Sequence, residues 1–434
     1  MHAPGEDRSP PPKVYTEGVL PAPTAGPLRD SRRTGVVVIG AGFTGLSAAL
    51  HLAEAGAEVT VLEARTVGWG ASGRAFGQVV PYLKHDQDAI LAHYGPDRGE
   101  RIIEAVAAGP DLVFDLIRRH QIACNATRTG LIFAAHTRAA ARGLEGRTLF
   151  WQRRGAPVRM LGADQTEAAI GSRFYQTCSL DERGGHLNPF AYVTGLARAA
   201  VAAGAAIHTG TPVLSLDRID GGWRVRAAGG ALEAKSVVIG TNAYTDGLWP
   251  GLEKSIVPMR GHAMVTRPLS GNLRRMILPG SQSMTDTRRL FSGIRLLADG
   301  RLHASGDGPA FGPEAGPYRA KIAARVAALY PFLGELDWQE TWSGWVAMTP
   351  DQFPRLHELA PGVFAGLGYS GRGIAAATMM GRDLAALVAG RGEGVFPRSP
   401  LRPIPGRSFA PWWIRSLLQW YRVRDAMETR QPPS

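Results

Sequence analysis

From Thr34 the chain alternates between apolar runs of two periods, and the switch between them predicts its first elements. Val36 to Ile39 is a continuous β-branched run, short enough for a buried parallel strand. It stops at Gly40-Ala41-Gly42-Phe43-Thr44-Gly45, after which Leu46, Ala49, Leu50 and Ala53 recur at helical spacing. Gly56 stands where a helix C-cap belongs, and Glu58 to Leu62 reads as a second strand ending at Glu63. This is one βαβ unit.

The same reading carries down the chain. Residues 86 to 121 have helical periodicity, and Thr129 to Ala135 reads as a strand. Asn188-Pro189 opens a helix that Gly204 stops, and Ala205 to His208 follows as a buried strand. Three short strands between Thr211 and Lys235, broken at Asp220-Gly221-Gly222 and Gly229-Gly230, predict a β-meander. Val237 to Gly240 then returns to the parallel sheet. The alternating segments His262 to Thr266, Arg289 to Leu296 and Arg301 to Ser305 predict an antiparallel sheet. Val363 to Ala365 is a strand running into Gly366-Leu367-Gly368-Tyr369-Ser370-Gly371-Arg372-Gly373, with a helix from Ile374 to about Val388.

Each residue type in the first glycine loop has a physical role. Gly40 permits the tight turn, Gly42 admits a pyrophosphate against the backbone, and Gly45 lets helix and strand approach. The helix N-terminus offers unpaired N–H groups to the anion, and Glu63 is set to take ribose hydroxyls. The unit predicts a dinucleotide site and leaves NAD and FAD open. The second strand, glycine loop and helix near the C-terminus favour a long cofactor held at both ends.

Composition adds boundaries. At 434 residues the chain has room for two domains, and two cysteines, Cys124 and Cys178, make neither a disulfide framework nor a metal cage. None of the eleven histidines shows metal-ligand spacing, so no metal is expected. No apolar run approaches the roughly 18 residues of a membrane span, and the N-terminus lacks a hydrophobic signal core. Arg32-Arg33 resembles a twin-arginine signal, but the apolar stretch behind it is the dinucleotide strand. A cytoplasmic protein is expected. The net charge of +12 comes from scattered Lys and Arg without a basic run, which argues for a solvated basic surface and no nucleic-acid partner. Residues 1–34 carry seven prolines before Thr34 and read as a surface tail. The aromatic segment PWWIRSLLQWYRVRD, with Trp413, Leu417, Trp420 and Tyr421 at near-helical spacing, reads as a terminal helix packed on its own domain, ahead of a membrane-surface helix.

With these pieces in order, the chain resembles the FAD-dependent amine and amino-acid oxidases of the D-amino-acid-oxidase-like superfamily, and within it the gamma-glutamylputrescine oxidase group. The likeness spans about Val36 to Gly390. It rests on VVVIGAGFTGLSAALHLAEAG with Glu63, GWGASGR with Gly77-Gln78-Val79, GGHLNPFAYVTGLARAA, TNAYTDGLWPGL, WSGWVAMTPDQFPRL and GLGYSGRGIAAATMMGRDLA. The resemblance implies a mixed α/β fold. Residues 35–82, 184–246 and 350–392 would form a discontinuous Rossmann-like FAD-binding domain with its meander, and 83–183 and 247–349 a substrate domain on an antiparallel sheet. Residues 393–434 would be a C-terminal extension.

It also implies site residues. Gly40, Gly42, Phe43, Thr44 and Gly45 would meet the pyrophosphate, and Glu63 the ribose, with Ala64 and Arg65 near the adenosine half and Val213 at its adenine edge. Ser72, Arg74 and Gln78 would run along the pyrophosphate towards the flavin, and Gly70, Ala71, Thr241 and Asn242 are further cofactor-binding candidates. Gly371, Arg372, Gly373 and Ile374 would meet its pyrimidine end. Apart from the resemblance, His262, with Arg260 on the same strand, is the candidate catalytic residue above the ring, though a surface or core-edge histidine is the plainer reading. Arg288 or Arg289 is the candidate for a substrate carboxylate, though a solvated arginine is the plainer reading. Trp342 and Trp345 wall an apolar channel or belong to the core, and His186 reads as structural. Ala75-Phe76 replaces the Asn-Gly usual before Gly-Gln, which alters the wall next to the ring. Some relatives attach flavin through a cysteine close to the position of Gly344, so FAD is expected to be non-covalent here.

The implied reaction is oxidation of an amine CH–NH bond to an imine that hydrolyses, with dioxygen as acceptor. A dehydrogenase passing electrons to a quinone or carrier protein, and a flavoprotein subunit without turnover, are the alternatives. Removing residues 1 to 30 is expected to leave FAD content almost unchanged.

Overall fold

The computed structural model describes residues 9–289, 292–307 and 316–430. Strand Arg32–Ile39 lies between Gly230–Ile239 and Val59–Leu62, parallel to both, and its run Val36–Ile39 is buried on both faces. That explains a continuous apolar segment without alternation. Among the described residues the sheet runs Arg355–Ala360, Val363–Leu367, Gly230–Ile239, Arg32–Ile39, Val59–Leu62, Ala206–His208. The meander Val213–Ile219, Gly222–Ala227 and Gly230–Ile239 feeds it from the side.

Helix Phe43–Glu54 follows the first glycine loop and helix Gly373–Val388 the second, and the two pack directly. Small residues allow it: a Cβ on Gly381 would lie 2.5 Å from the Ser47 Cβ. The Ser47 hydroxyl donates to the Thr378 carbonyl at 2.6 Å, and the Thr44 Oγ1 and Tyr369 hydroxyl oxygens are 2.7 Å apart. Both glycine loops are thereby held at one end of the helix pair. Helix Pro189–Ala202 packs alongside, capped by Asn188, whose side chain accepts from the Phe190 and Ala191 amides.

A second sheet runs Trp338–Met348, Val257–Pro268, Arg301–Asp307, Ser292–Leu296, Ser283–Asp286, Leu131–Ala134, Cys178–Asp181, Val158–Leu161 among the described residues. It is antiparallel as expected except at one junction, where Ser283–Asp286 and Leu131–Ala134 pair in parallel. Those strands come from distant segments of the chain, so no hairpin dictates their direction. The strand expected at Arg289 to Leu296 is observed as Ser292–Leu296, with residues 290 and 291 outside the described set.

The N-terminal segment departs from the surface tail expected of it. Tyr15 and Leu28 are each only 1% exposed. Tyr15 sits in a short helix, Lys13–Thr16, and packs against Trp342, Ala263 and Val265 of the second sheet. The Glu340 carboxylate accepts from the Lys13 and Val14 amides. Proline content marked this segment as non-regular, which it mostly is. It could not reveal that a single tyrosine would anchor it.

Candidate active site

The cradle for the dinucleotide is built by the turn after strand Arg32–Ile39. Gly40 has φ +99°, and Gly42 caps helix Phe43–Glu54. A Cβ on Gly45 would stand 1.9 Å from the Gly40 carbonyl oxygen, so only glycine lets the helix start this close to the loop. The Phe43 amide donates to the Ser72 hydroxyl at 3.0 Å. Glu63 accepts from the Ala41 amide at Oε2 and the Arg65 amide at Oε1, both at 2.8 Å. Its carboxyl is pushed above its ordinary range by burial, against which the two amide bonds act.

One cavity of about 850 Å³ begins here and continues to the second sheet. Gly40, Gly42, Phe43, Thr44, Glu63, Ala64, Arg65, Gly70, Ala71, Ser72, Arg74, Gln78, Val213, Thr241, Asn242, Gly371, Arg372, Gly373, Ile374 and His262 all line it. Gly45 lies behind the lining, where it sets the helix-to-loop distance. The second sheet contributes Gly344, already expected near the ring, and Met259, Gly261 and Val346, which the sequence alone did not assign to the site. Gly261 and Gly344 are directly paired across the two strands, which flattens that wall. Their pairing was not readable from either strand alone.

Several expected roles are refined. Arg74 lines the cavity, yet its guanidinium donates to the carbonyls of Trp69, Pro10 and Ser9, so it ties down the N-terminal segment. Gln78 donates from Nε2 to the Ser283 hydroxyl at 2.7 Å and so joins the cradle to the second sheet. Asn242, at φ +46°, accepts from the Gly368 amide at 3.0 Å and shapes the second glycine loop.

The two residues expected at the catalytic position are divided. His262 lines the cavity, buried, its ring stacked on Tyr318 with centroids 4.8 Å apart. Arg260 does not line it: its guanidinium lies over the Trp345 ring, 4.5 Å from the centroid. Aromatic stacking of the planar cation holds it away from the site. Both arginines considered for a substrate carboxylate are ion-paired within the chain. Arg288 is paired with Asp286 at 2.5 Å, and Arg289, which lines the cavity, is taken by Asp425 and Glu428. Trp342 and Trp345 both line the cavity, and Trp342 donates from Nε1 to the Arg74 carbonyl. His186 is structural: Nε2 meets the Ser281 carbonyl, Nδ1 meets Arg295, and burial together with Arg295 pushes its pKa down to about 3.

Two cations shape the far end. Lys84 and Arg372 both line the cavity, and burial, with Arg147 behind it, pushes the Arg372 pKa down to about 10. The N-terminus of helix Gly373–Val388 points to the same corner. His136, Asp425 and Glu428 bring ligand atoms within 4.8 Å of one another, but Arg289 already occupies both carboxylates. This arrangement is an ion-pair cluster.

A glycine-loop cradle with an anchored acid, opening onto a cavity walled by a second sheet, defines a dinucleotide-dependent oxidoreductase. The chain belongs to the DAO family of FAD dependent oxidoreductases, whose family model matches residues 35–387. It is 32% identical over 406 residues to the gamma-glutamylputrescine oxidoreductase of Escherichia coli (strain K12), covering 92% of this chain and 95% of that one. It is 26% identical to the glycine oxidase of Geobacillus kaustophilus (strain HTA426) over 85% of this chain and 96% of that one. In fold it resembles the crystal structure of glycine oxidase from Geobacillus kaustophilus, with a TM-score of 0.72 at 24% identity, covering 86% of this chain and 99% of that one.

The cofactor is FAD, and the residues present fit it. A side chain at Gly45 would collide with backbone, one at Gly42 would crowd Ser72, and Glu63 is fixed by two amides facing the cavity. Gly40, Gly42 and the amides opening helix Phe43–Glu54 would hold the pyrophosphate and Glu63 the ribose. Among the described residues no helix is long and apolar enough to cross a membrane.

Proposed function

We propose that this chain oxidises the CH–NH bond of an amine of the gamma-glutamylputrescine class to an imine that hydrolyses, with dioxygen as the electron acceptor. Bound FAD supplies a hydride acceptor for the carbon that carries the nitrogen. The observation that carries the reading is the continuity of one cavity from the Glu63 cradle to the wall of Met259, Gly261, Gly344 and Val346. The E. coli relative, a gamma-glutamylputrescine oxidoreductase aligned over 92% of this chain, supports the substrate class.

The chain's own residues serve this chemistry in four ways. Gly261 and Gly344 leave room for a linear substrate to lie flat. Trp342, Trp345 and Val346 exclude water from the reacting bond. Lys84, Arg372 and the N-terminus of helix Gly373–Val388 make the corner positive, which favours the neutral amine, the form whose lone pair can assist hydride loss. His262 lines the cavity and is the residue we assign to substrate positioning, with Arg260 two residues away on the same strand face, held over Trp345. In this reading residues 35–82, 184–246 and 350–392 hold the cofactor and 83–183 and 247–349 shape the substrate side.

Anaerobic mixing with gamma-glutamylputrescine, putrescine, N-methyl amino acids and D-amino acids tests it. Loss of the oxidised flavin's visible absorbance is expected with gamma-glutamylputrescine, and peroxide on admission of air. Bleaching by amino acids alone would overturn the substrate class. Bleaching that air fails to reverse would overturn the acceptor.

A further inference from the structure

The helix Ala410–Arg430 has two faces with different tasks. Trp413, Leu417 and Tyr421 line the cavity, and Asp425 and Glu428 clamp Arg289 with three bonds of 2.7–2.8 Å. The outward face is apolar. Trp412, Trp420, Val423 and Met427 are 65%, 50%, 56% and 62% exposed, and Phe409 in the preceding turn is 70% exposed. Trp420, Val423 and Met427 follow one another at spacings of three and four residues, and Trp412 lies on the same side of the helix two turns earlier, with the exposed Ser416 between. Exposed apolar side chains grouped on one helix side mark an interaction site.

Charge identifies the occupant. The helix itself carries four arginines, Arg415, Arg422, Arg424 and Arg430, against Asp425 and Glu428. Both acids are engaged by Arg289, and Glu428 also pairs with Arg424. Aromatic side chains flanked by arginines suit the headgroup layer of a membrane, where rings sit at the boundary and guanidinium groups meet lipid phosphate. A second copy of the chain would bring one net-positive helix against another, which costs energy. The helix is 21 residues long, and among the described residues none is apolar enough to span a bilayer, so this one would lie in the interfacial plane.

We infer that the outer face of Ala410–Arg430 docks on an anionic lipid surface, with the cavity beneath its inner face. The inference is independent of the substrate. Full-length FAD-loaded protein should float with vesicles carrying roughly a third phosphatidylglycerol, not with phosphatidylcholine alone, and should detach as salt is raised. The W420S/V423S/M427S variant should lose about tenfold in partitioning while keeping its flavin and its turnover in solution. Arg415→Glu, which keeps the apolar side chains and the Arg424–Glu428 pair and reverses one charge, should weaken binding to the anionic vesicles and provides an independent check if the triple variant fails to fold. Protein that stays unbound with both vesicle types would overturn the inference. So would a dimer in sedimentation that the triple variant dissociates, which would assign these side chains to a second copy.

Discussion

Arg295 donates from Nη2 to the Tyr15 hydroxyl at 3.2 Å, joining the N-terminal segment to a strand of the second sheet across 280 residues of chain. The same hydroxyl lies 3.3 Å from His303 Nδ1 and 3.4 Å from the Phe76 carbonyl. Phe76 lines the cavity, so Tyr15 supports the wall beside the cofactor from behind. Tyr15→Ala should therefore destabilise the protein by about 3–5 kcal/mol, the usual cost of emptying a buried aromatic site. Tyr15→Phe should cost about 1–3 kcal/mol, because Arg295 loses a buried partner. Thermal melts measure both, and flavin content after gel filtration should fall for the alanine variant. Deleting residues 1 to 20 should act in the same direction, contrary to what proline content alone suggests.

The same cluster predicts how stability depends on pH. His186 is pushed down to about 3 and His303 well below its ordinary value, in each case chiefly by burial and then by Arg295. Both rings stay neutral in the folded protein, whereas unfolded histidines take up protons near pH 6.5. The unfolded state thus binds more protons below that pH. The stability held above about 6.5 is lost as pH falls from there towards 3. Two such groups should remove about 2 kcal/mol between pH 6.5 and 5.5. Urea melts across that interval check the slope, and His186→Gln should flatten it.

Most of the cofactor half was legible because its signals are local. The run Val36 to Ile39, the glycines at 40, 42 and 45, and Asn188-Pro189 each prescribe backbone geometry within a few residues, and strand, loop and capped helix appear where expected. What remained hidden depends on partners far along the chain. Arg260 and His262 share one strand, but only the opposing Trp345 and Tyr318 decide where each goes. The C-terminal helix shows the same limit. Its spacing gave an apolar stripe of Trp413, Leu417, Trp420 and Tyr421; in the structure Trp413, Leu417 and Tyr421 line the cavity and Trp420 does not, although Trp413 is itself 45% exposed.

At the cradle, the test is steric. Gly45→Ala would bring a methyl group to 1.9 Å from the Gly40 carbonyl oxygen, and backbone cannot give way as a side chain can. Gly42→Asp would crowd Ser72 Oγ, 3.0 Å from the added Cβ, and add a negative charge where the pyrophosphate belongs. Both variants should be purified without yellow colour, with circular dichroism reporting retained secondary structure. Stoichiometric flavin in either would remove these glycines from the phosphate site.

The bond between protein and flavin is the last point open to a direct test. Covalent attachment requires a nucleophile beside the ring, most readily a thiolate. Cys124 and Cys178 are both buried, neither lines the cavity, and burial pushes their thiols up to about 12 and about 11. The cavity wall carries Gly344 where some relatives attach flavin, and the nearest side chain to a Cβ built there is Arg74, at 3.2 Å. His262 does face the cavity, but its ring is stacked on Tyr318, which fixes its plane away from free rotation. Retention should therefore rest on the amides of the two glycine loops, on Glu63 and on apolar packing. Acid precipitation should leave all of the yellow colour in the supernatant as intact FAD. A flavin-sized mass increment on the denatured chain would contradict this, and peptide mapping would then test His262 first.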